Sequence, residues 1–196
     1  MAITINGSGT VTGVSVGGLP DGIVDTDMLA NNAVTTAKRS AGAIVAVTQT
    51  VKTDTDSDST AQGAYSDALI SHSHTAASSS NKLLIIANVN ISCDSTAATY
   101  ATLHIGGSPS AYRGGGAGSR NRITGSARSG TSGGMENMTL VYLHSSPSTS
   151  STAYDVRGSH ANDSTQTMYI NRTHSDTDAN YEGRAASSIT IIELEG

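Results

Sequence analysis

The chain has 196 residues and a formal net charge of −5, which suits one compact domain plus a short extra segment, not two full domains. The eleven Lys and Arg are scattered, with only Arg113, Arg120, Arg122 and Arg128 loosely grouped. That argues against a surface built to neutralise nucleic-acid phosphates. Cys93 is the only cysteine, which excludes an intrachain disulfide framework.

No secretory signal is visible, and the longest apolar run, 83–87, is too short to span a bilayer. Synthesis in a cytoplasm and no membrane insertion are expected. Ser, Thr and Gly exceed a third of the residues, while Phe and Trp are absent. Low net charge and strand-length apolar runs point to an ordered chain. Its lean core leads us to expect oligomerisation to supply the burial one copy lacks.

Residues 1–42 differ from the remainder. Ile3-Thr4-Ile5 and Thr10–Val16 alternate apolar with polar around Asn6-Gly7-Ser8-Gly9, a strand–turn–strand pattern. After the breakers at 17–22, Met28, Leu29, Ala33, Val34 and Ala37 recur at helical spacing. Asp25 or Thr26 can cap this short helix, and Lys38 and Arg39 suit its C-terminal end. The apolar stripe is thin, so the helix needs partners.

From residue 43 the sequence predicts strands only, over 43–51, 64–70, 82–92, 99–106, 120–125, 137–143, 152–158, 166–172 and 187–195, with polar loops such as 53–60, 107–119 and 126–136. This spacing predicts an antiparallel β-sandwich of jelly-roll type over 43–196. Leu83, Ile85, Ala87, Val89 and Ile91 share one strand face, and Leu84 and Ile86 make the other apolar at one end. Met138, Leu140 and Tyr142 oppose Val141 and Leu143, and Ile189 and Ile191 oppose Ile192 and Leu194. Strands apolar on both faces belong in a large core or at a subunit interface. Leu84, Ile86, Val141, Leu143, Ile192 and Leu194 are therefore the candidate interface residues.

Motifs for chemistry are weak. Asp54-Thr-Asp56-Ser-Asp58 alternates acids as a calcium loop does, but Ser59 and Tyr65 stand where the loop needs Gly and Glu, so a solvated acidic loop is expected. Asp176-Thr-Asp178 reads the same way. His72-Ser-His74 places two imidazoles on one face of an extended segment, fewer ligands than a metal site needs. His104, His144, His160 and His174 are dispersed. No Gly-x-Ser-x-Gly elbow is present, no glycosidase carboxylate pair can be singled out, and Gly114–Gly118 lacks the setting of a phosphate loop. A non-enzymatic protein without metal or cofactor is expected.

Two stretches carry a resemblance: Gly17-Gly-Leu-Pro-Asp-Gly-Ile-Val-Asp-Thr-Asp-Met-Leu-Ala-Asn-Asn-Ala-Val-Thr-Thr-Ala-Lys38, and the run from Tyr169 to Leu194, with a weaker echo at 118–122. They resemble tail-fibre and related virion structural proteins of tailed bacteriophages, notably cyanophages. The resemblance implies a homotrimeric appendage with a β-sandwich head, attached to other virion proteins of tail or capsid through residues 1–42. It implies a virion location after assembly in the host cytoplasm. Loops rich in Ser, Thr, Asn, Gly and Tyr on a rigid scaffold suit a head that recognises the host surface, with surface polysaccharide a candidate partner. A capsid decoration, cement protein or head fibre is the alternative. Arg172, Tyr181 and Arg184, inside the second stretch, are candidate receptor contacts through Tyr stacking and Arg–acid pairing. The competing reading makes them structural, with Arg–Asp pairs pinning the loop before the last strand.

Overall fold

The computed structural model describes residues 4–5, 11–12, 38, 40–94, 98–128 and 134–196. The chain divides into two compact units, Met1–Arg39 and Ser40–Gly196. In the first, β1 (Thr4–Ile5) pairs antiparallel with β2 (Val11–Thr12). The helix expected within 25–39 lies outside the described residues, as does most of this unit.

The second unit is all-β, and the described residues contain no α-helix. Its strands are β3 (Ile44–Lys52), β4 (Asp56–Thr60), β5 (Ala68–His74), β6 (Lys82–Cys93), β7 (Thr99–Ile105), β8 (Ser108–Pro109), β9 (Gly125–Ala127), β10 (Glu136–Ser145), β11 (Thr152–His160), β12 (Gln166–Ile170) and β13 (Ser187–Leu194). One sheet runs β3-β13-β6-β12-β4, with β10 on the other edge of β6. The second runs β5-β11-β7-β8, with β9 also on β7. Every pairing is antiparallel.

β6 organises the larger sheet. It is rich in the β-branched and aliphatic residues that fit a pleated surface. β10 pairs along one edge, while β13 covers Lys82–Asn88 and β12 covers Ile91–Cys93 on the other. Leu83, Ile85, Ala87, Val89 and Ile91 are all fully buried. They pack with Met138, Leu140, Met168, Ile170, Ile189 and Ile191 of the same sheet. Leu69, Ile70, Ala101, Leu103, Tyr154 and Val156 of the second sheet complete one shared core, a sandwich-like arrangement.

Several strand boundaries differ from those read in the sequence. Residues 56–60, expected in a loop, form β4, an edge strand on β12 whose polar side chains suit an exposed edge. Ser59 and Thr167 hydroxyls hydrogen-bond across that pair at 2.9 Å. The strand expected at 64–70 lies at 68–74, with Leu69 in a bulge opposite Val156 and Arg157. The strand expected at 120–125 is displaced to 125–127, and the loop expected at 107–119 contains β8.

Candidate functional site

The six candidate interface residues come together. Strand register places Leu143 of β10, Leu84 of β6, Ile192 of β13 and Val47 of β3 in one row across four strands. One row toward one end lie Leu194 and Ile44, and one row the other way lie Val141 and Ile86. Those on β6, β10 and β13 point away from the core because they alternate with its buried residues, and exposed Val47 and Ile44 join the same rows through their pairing with β13, Ile44 across a bulge. Ile44 is 60%, Val47 59%, Val141 47% and Leu143 47% exposed. Lys82 is the only charged residue on these rows. Val47 and Ile44 were not singled out from the sequence: β3 begins Ile-Val-Ala-Val, an apolar run without alternation, and a bulge opposite Glu193 and Leu194 brings both to this face.

Further along the same face amides and hydroxyls predominate, beside Val51 of β3, 54% exposed. Gln49 Nε2 donates to Thr190 Oγ1 at 2.7 Å. Asn137 Nδ2 donates to Asn88 Oδ1 at 3.0 Å and to Asn90 Oδ1 at 2.9 Å, and Asn88 Nδ2 donates to Thr139 Oγ1 at 2.9 Å. The face is thus nearly uncharged and held by backbone ladders, with side-chain bonds added at its polar end.

Arg172, Tyr181 and Arg184 lie in or beside the 171–186 loop. Arg184 grips Asp176 with both prongs, Nε to Oδ1 at 2.8 Å and Nη2 to Oδ2 at 2.7 Å. Arg172 reaches the same carboxylate at 3.2 Å, and its guanidinium lies 4.1 Å from the centre of the Tyr169 ring. Both arginines therefore serve the loop's own architecture. Glu182 adds hydrogen bonds from Thr173 and Ser175 hydroxyls, and these bonds hold its carboxyl below the usual range. Tyr181 is 75% exposed. A shallow cleft of about 240 Å³ lies beside it, lined by Asp176, Thr177, Asp178, Ala179, Glu182, Gly183 and Arg184.

The two sheets are stitched at one lateral edge by a buried polar network that sequence reasoning missed. His72 and His74 project from β5 to the same side, as their spacing implies, and both are buried. His72 Nδ1 meets Thr50 Oγ1 at 2.8 Å and its Nε2 meets Thr48 Oγ1 at 2.9 Å. His74 Nδ1 meets Thr48 Oγ1 at 3.2 Å and its Nε2 meets Glu193 Oε2 at 3.1 Å. Glu193, 1% exposed, also accepts from the Ala77 amide at 2.8 Å and from Asn81 Nδ2 at 2.6 Å. Burial acts to raise the Glu193 pKa; the bonds from Asn81, Ala77 and His74, with the His74 charge, outweigh it and set it below the ordinary value. Burial, then the neighbouring His74, lowers the His72 pKa. Tyr154, fully inside the core, is pushed up to about 12 by burial and by the Glu193 charge.

Of the acidic run, Asp54 and Asp56 both reach the Lys52 ammonium, at 3.0 and 3.8 Å, while Asp58 on β4 accepts from the Asp67 amide at 2.7 Å. Among the described residues no three His, Cys, Asp or Glu side chains are grouped to hold a metal ion. The chain matches no known protein-family model and no characterised protein at a significant level.

Proposed function

We infer that this chain is a non-enzymatic virion structural protein, one subunit of a homotrimeric appendage. Residues 1–42 form its attachment stalk and 43–196 its jelly-roll-like head. The observation that supports this reading most directly is the aliphatic row Leu143–Leu84–Ile192–Val47, which crosses the outer face of the larger sheet with no charge beside it except Lys82. A strip of this kind on a monomer is a liability, whereas copies of the same subunit can bury it. The virion setting and the number three derive from the resemblance in residues 17–38 and 169–194. In this reading the head binds host surface polysaccharide. Of the three candidate contacts, exposed Tyr181 offers a ring for stacking, while Arg172 and Arg184 position the loop that carries it.

Gold-labelled antibody against the head, applied to particles from a lysate in which the chain is produced, tests the proposal. Label in groups at the tail supports adhesion. Label over the shell moves the protein to the alternative role of capsid decoration, cement or head fibre. Unlabelled particles, with the chain left in the soluble fraction, reject a virion role.

A further inference from the structure

β7 and β11 carry a second cluster on the outer face of the smaller sheet, independent of the assembly reading. Register pairs His104 with Asp155 and Thr102 with Arg157, so these four side chains share one face. Thr102 is 0%, His104 2% and Asp155 4% exposed. Ser71 from β5 donates to Asp155 Oδ1 at 2.6 Å, leaving Arg157 a long 3.5 Å approach to Oδ2. Tyr65 covers the cluster, its ring edge-on to His104 at 4.7 Å and its hydroxyl donating to the Arg122 carbonyl at 3.1 Å. Arg113, in the segment after β8, lies near enough for its charge to act on His104. Burial lowers the His104 pKa; the bond to the Thr102 carbonyl and Asp155 oppose this, and Arg157 and Arg113 reinforce it.

The inventory is lopsided. Arg157 approaches one carboxylate, which Ser71 already engages, and the Arg113 charge adds to that of Arg157 at His104. Arg113 Nε, Arg157 Nε and Thr102 Oγ1 are buried without a hydrogen-bond partner. Guanidinium N–H groups can only donate, and buried donors left unmet cost free energy. Surplus positive charge, unmet donors and a buried hydroxyl that nothing in the fold uses together define what would complete the cluster. We propose that Arg113, Arg157 and Thr102 form a binding site for a small oxyanion, a carboxylate or phosphate group carried by a sugar or free in solution.

The test is chemical-shift titration of the full chain at constant ionic strength with inorganic phosphate, with glucuronate and with glucose as the neutral control. Saturable shifts of Thr102, His104 and Arg157 amides with phosphate or glucuronate, and none with glucose, are expected. Response to glucuronate assigns the site to an acidic sugar, and response to phosphate alone assigns it to phosphate. Arg113→Gln is expected to weaken binding about tenfold or more, the scale of a charge-assisted bond, while Arg120→Gln in the same loop leaves it unchanged. Thr102→Val supplies a variant whose fold is not in question, since the hydroxyl it removes has no partner; it is expected to keep the thermal midpoint and still lose affinity. Equal binding by wild type, Arg113→Gln and Thr102→Val, or no saturable response to either anion, overturns the assignment.

Discussion

Asn171 follows β12 at a left-handed φ of 62°, a conformation that asparagine tolerates better than most residues, and it is fully buried. Its Nδ2 donates to the carbonyls of Lys52 and Asp54 at 2.8 and 2.9 Å, and its Oδ1 accepts from Ser187 Oγ at 2.6 Å. One side chain thus ties the end of β3 to the start of β13. Asn171→Ala takes a donor from two carbonyls and the acceptor from the Ser187 O–H inside the protein, and is expected to cost about 2–4 kcal/mol, read from urea unfolding midpoints. Asn171→Asp sets a carboxylate against two carbonyl oxygens and should cost at least as much. A loss below about 1 kcal/mol in both would show that these bonds do not hold the junction. No sequence pattern marks Asn171, because its role depends on three strands that meet only in the fold. Glu193 was closer to legible. It continues the inward register of Ile189 and Ile191, and a carboxylate on a core face demands buried partners.

The same contrast holds for elements. Strands with a buried face were readable because period-two alternation depends on burial alone. β6, β10 and β13 accordingly lie within one or two residues of their expected spans. β4 was not readable: Asp-Ser-Asp-Ser-Thr has no large apolar residue, and its strand character comes entirely from hydrogen bonding to β12. β5 was displaced because its second half carries His72 and His74, polar residues that are inward only through Thr48, Thr50 and Glu193. That seam makes the sandwich acid-sensitive. The folded His72 pKa lies below its ordinary value of 6.5, as do those of His104 and His144, each chiefly through burial. The unfolded chain therefore binds protons first, and stability falls as pH drops below about 6.5. Glu193, also depressed, contributes stability above its ordinary value of 4.5 that is lost as pH falls through the folded pKa. Urea midpoints measured from pH 7.5 to 4 should decline in that order, and His72→Gln should shallow the first part of the decline. A flat profile down to pH 5 in the wild type would contradict the arrangement.

At the scale of the molecule, the proposed reading makes the outer face of the larger sheet the surface where copies of the chain meet. Its exposed aliphatic rows form a patch on the order of 500 Å², near the upper end for a monomer that stays monomeric. Neighbouring Gln49, Asn88, Asn137 and Thr190 extend the same surface toward the roughly 800 Å² per partner that stable interfaces bury. Those amides bond to each other and to nearby hydroxyls along the sheet, so covering them strands few polar groups. At about 25 cal/mol per Å² the aliphatic rows alone represent roughly 12 kcal/mol, comparable with the cost of association. Substitutions in the central row should therefore tip the equilibrium while the fold survives, since these side chains lie outside the core. Sedimentation velocity of the full chain is expected to show a closed oligomer, three copies on the proposed reading. Leu143→Glu and Ile192→Glu each place a charge in the middle of the row and should yield folded monomers with unchanged circular dichroism. Gln62→Glu, in an exposed loop off these rows, should leave the assembly intact. A monomeric wild type, or both row variants sedimenting as the wild type does, would show that this face is not where copies of the chain meet.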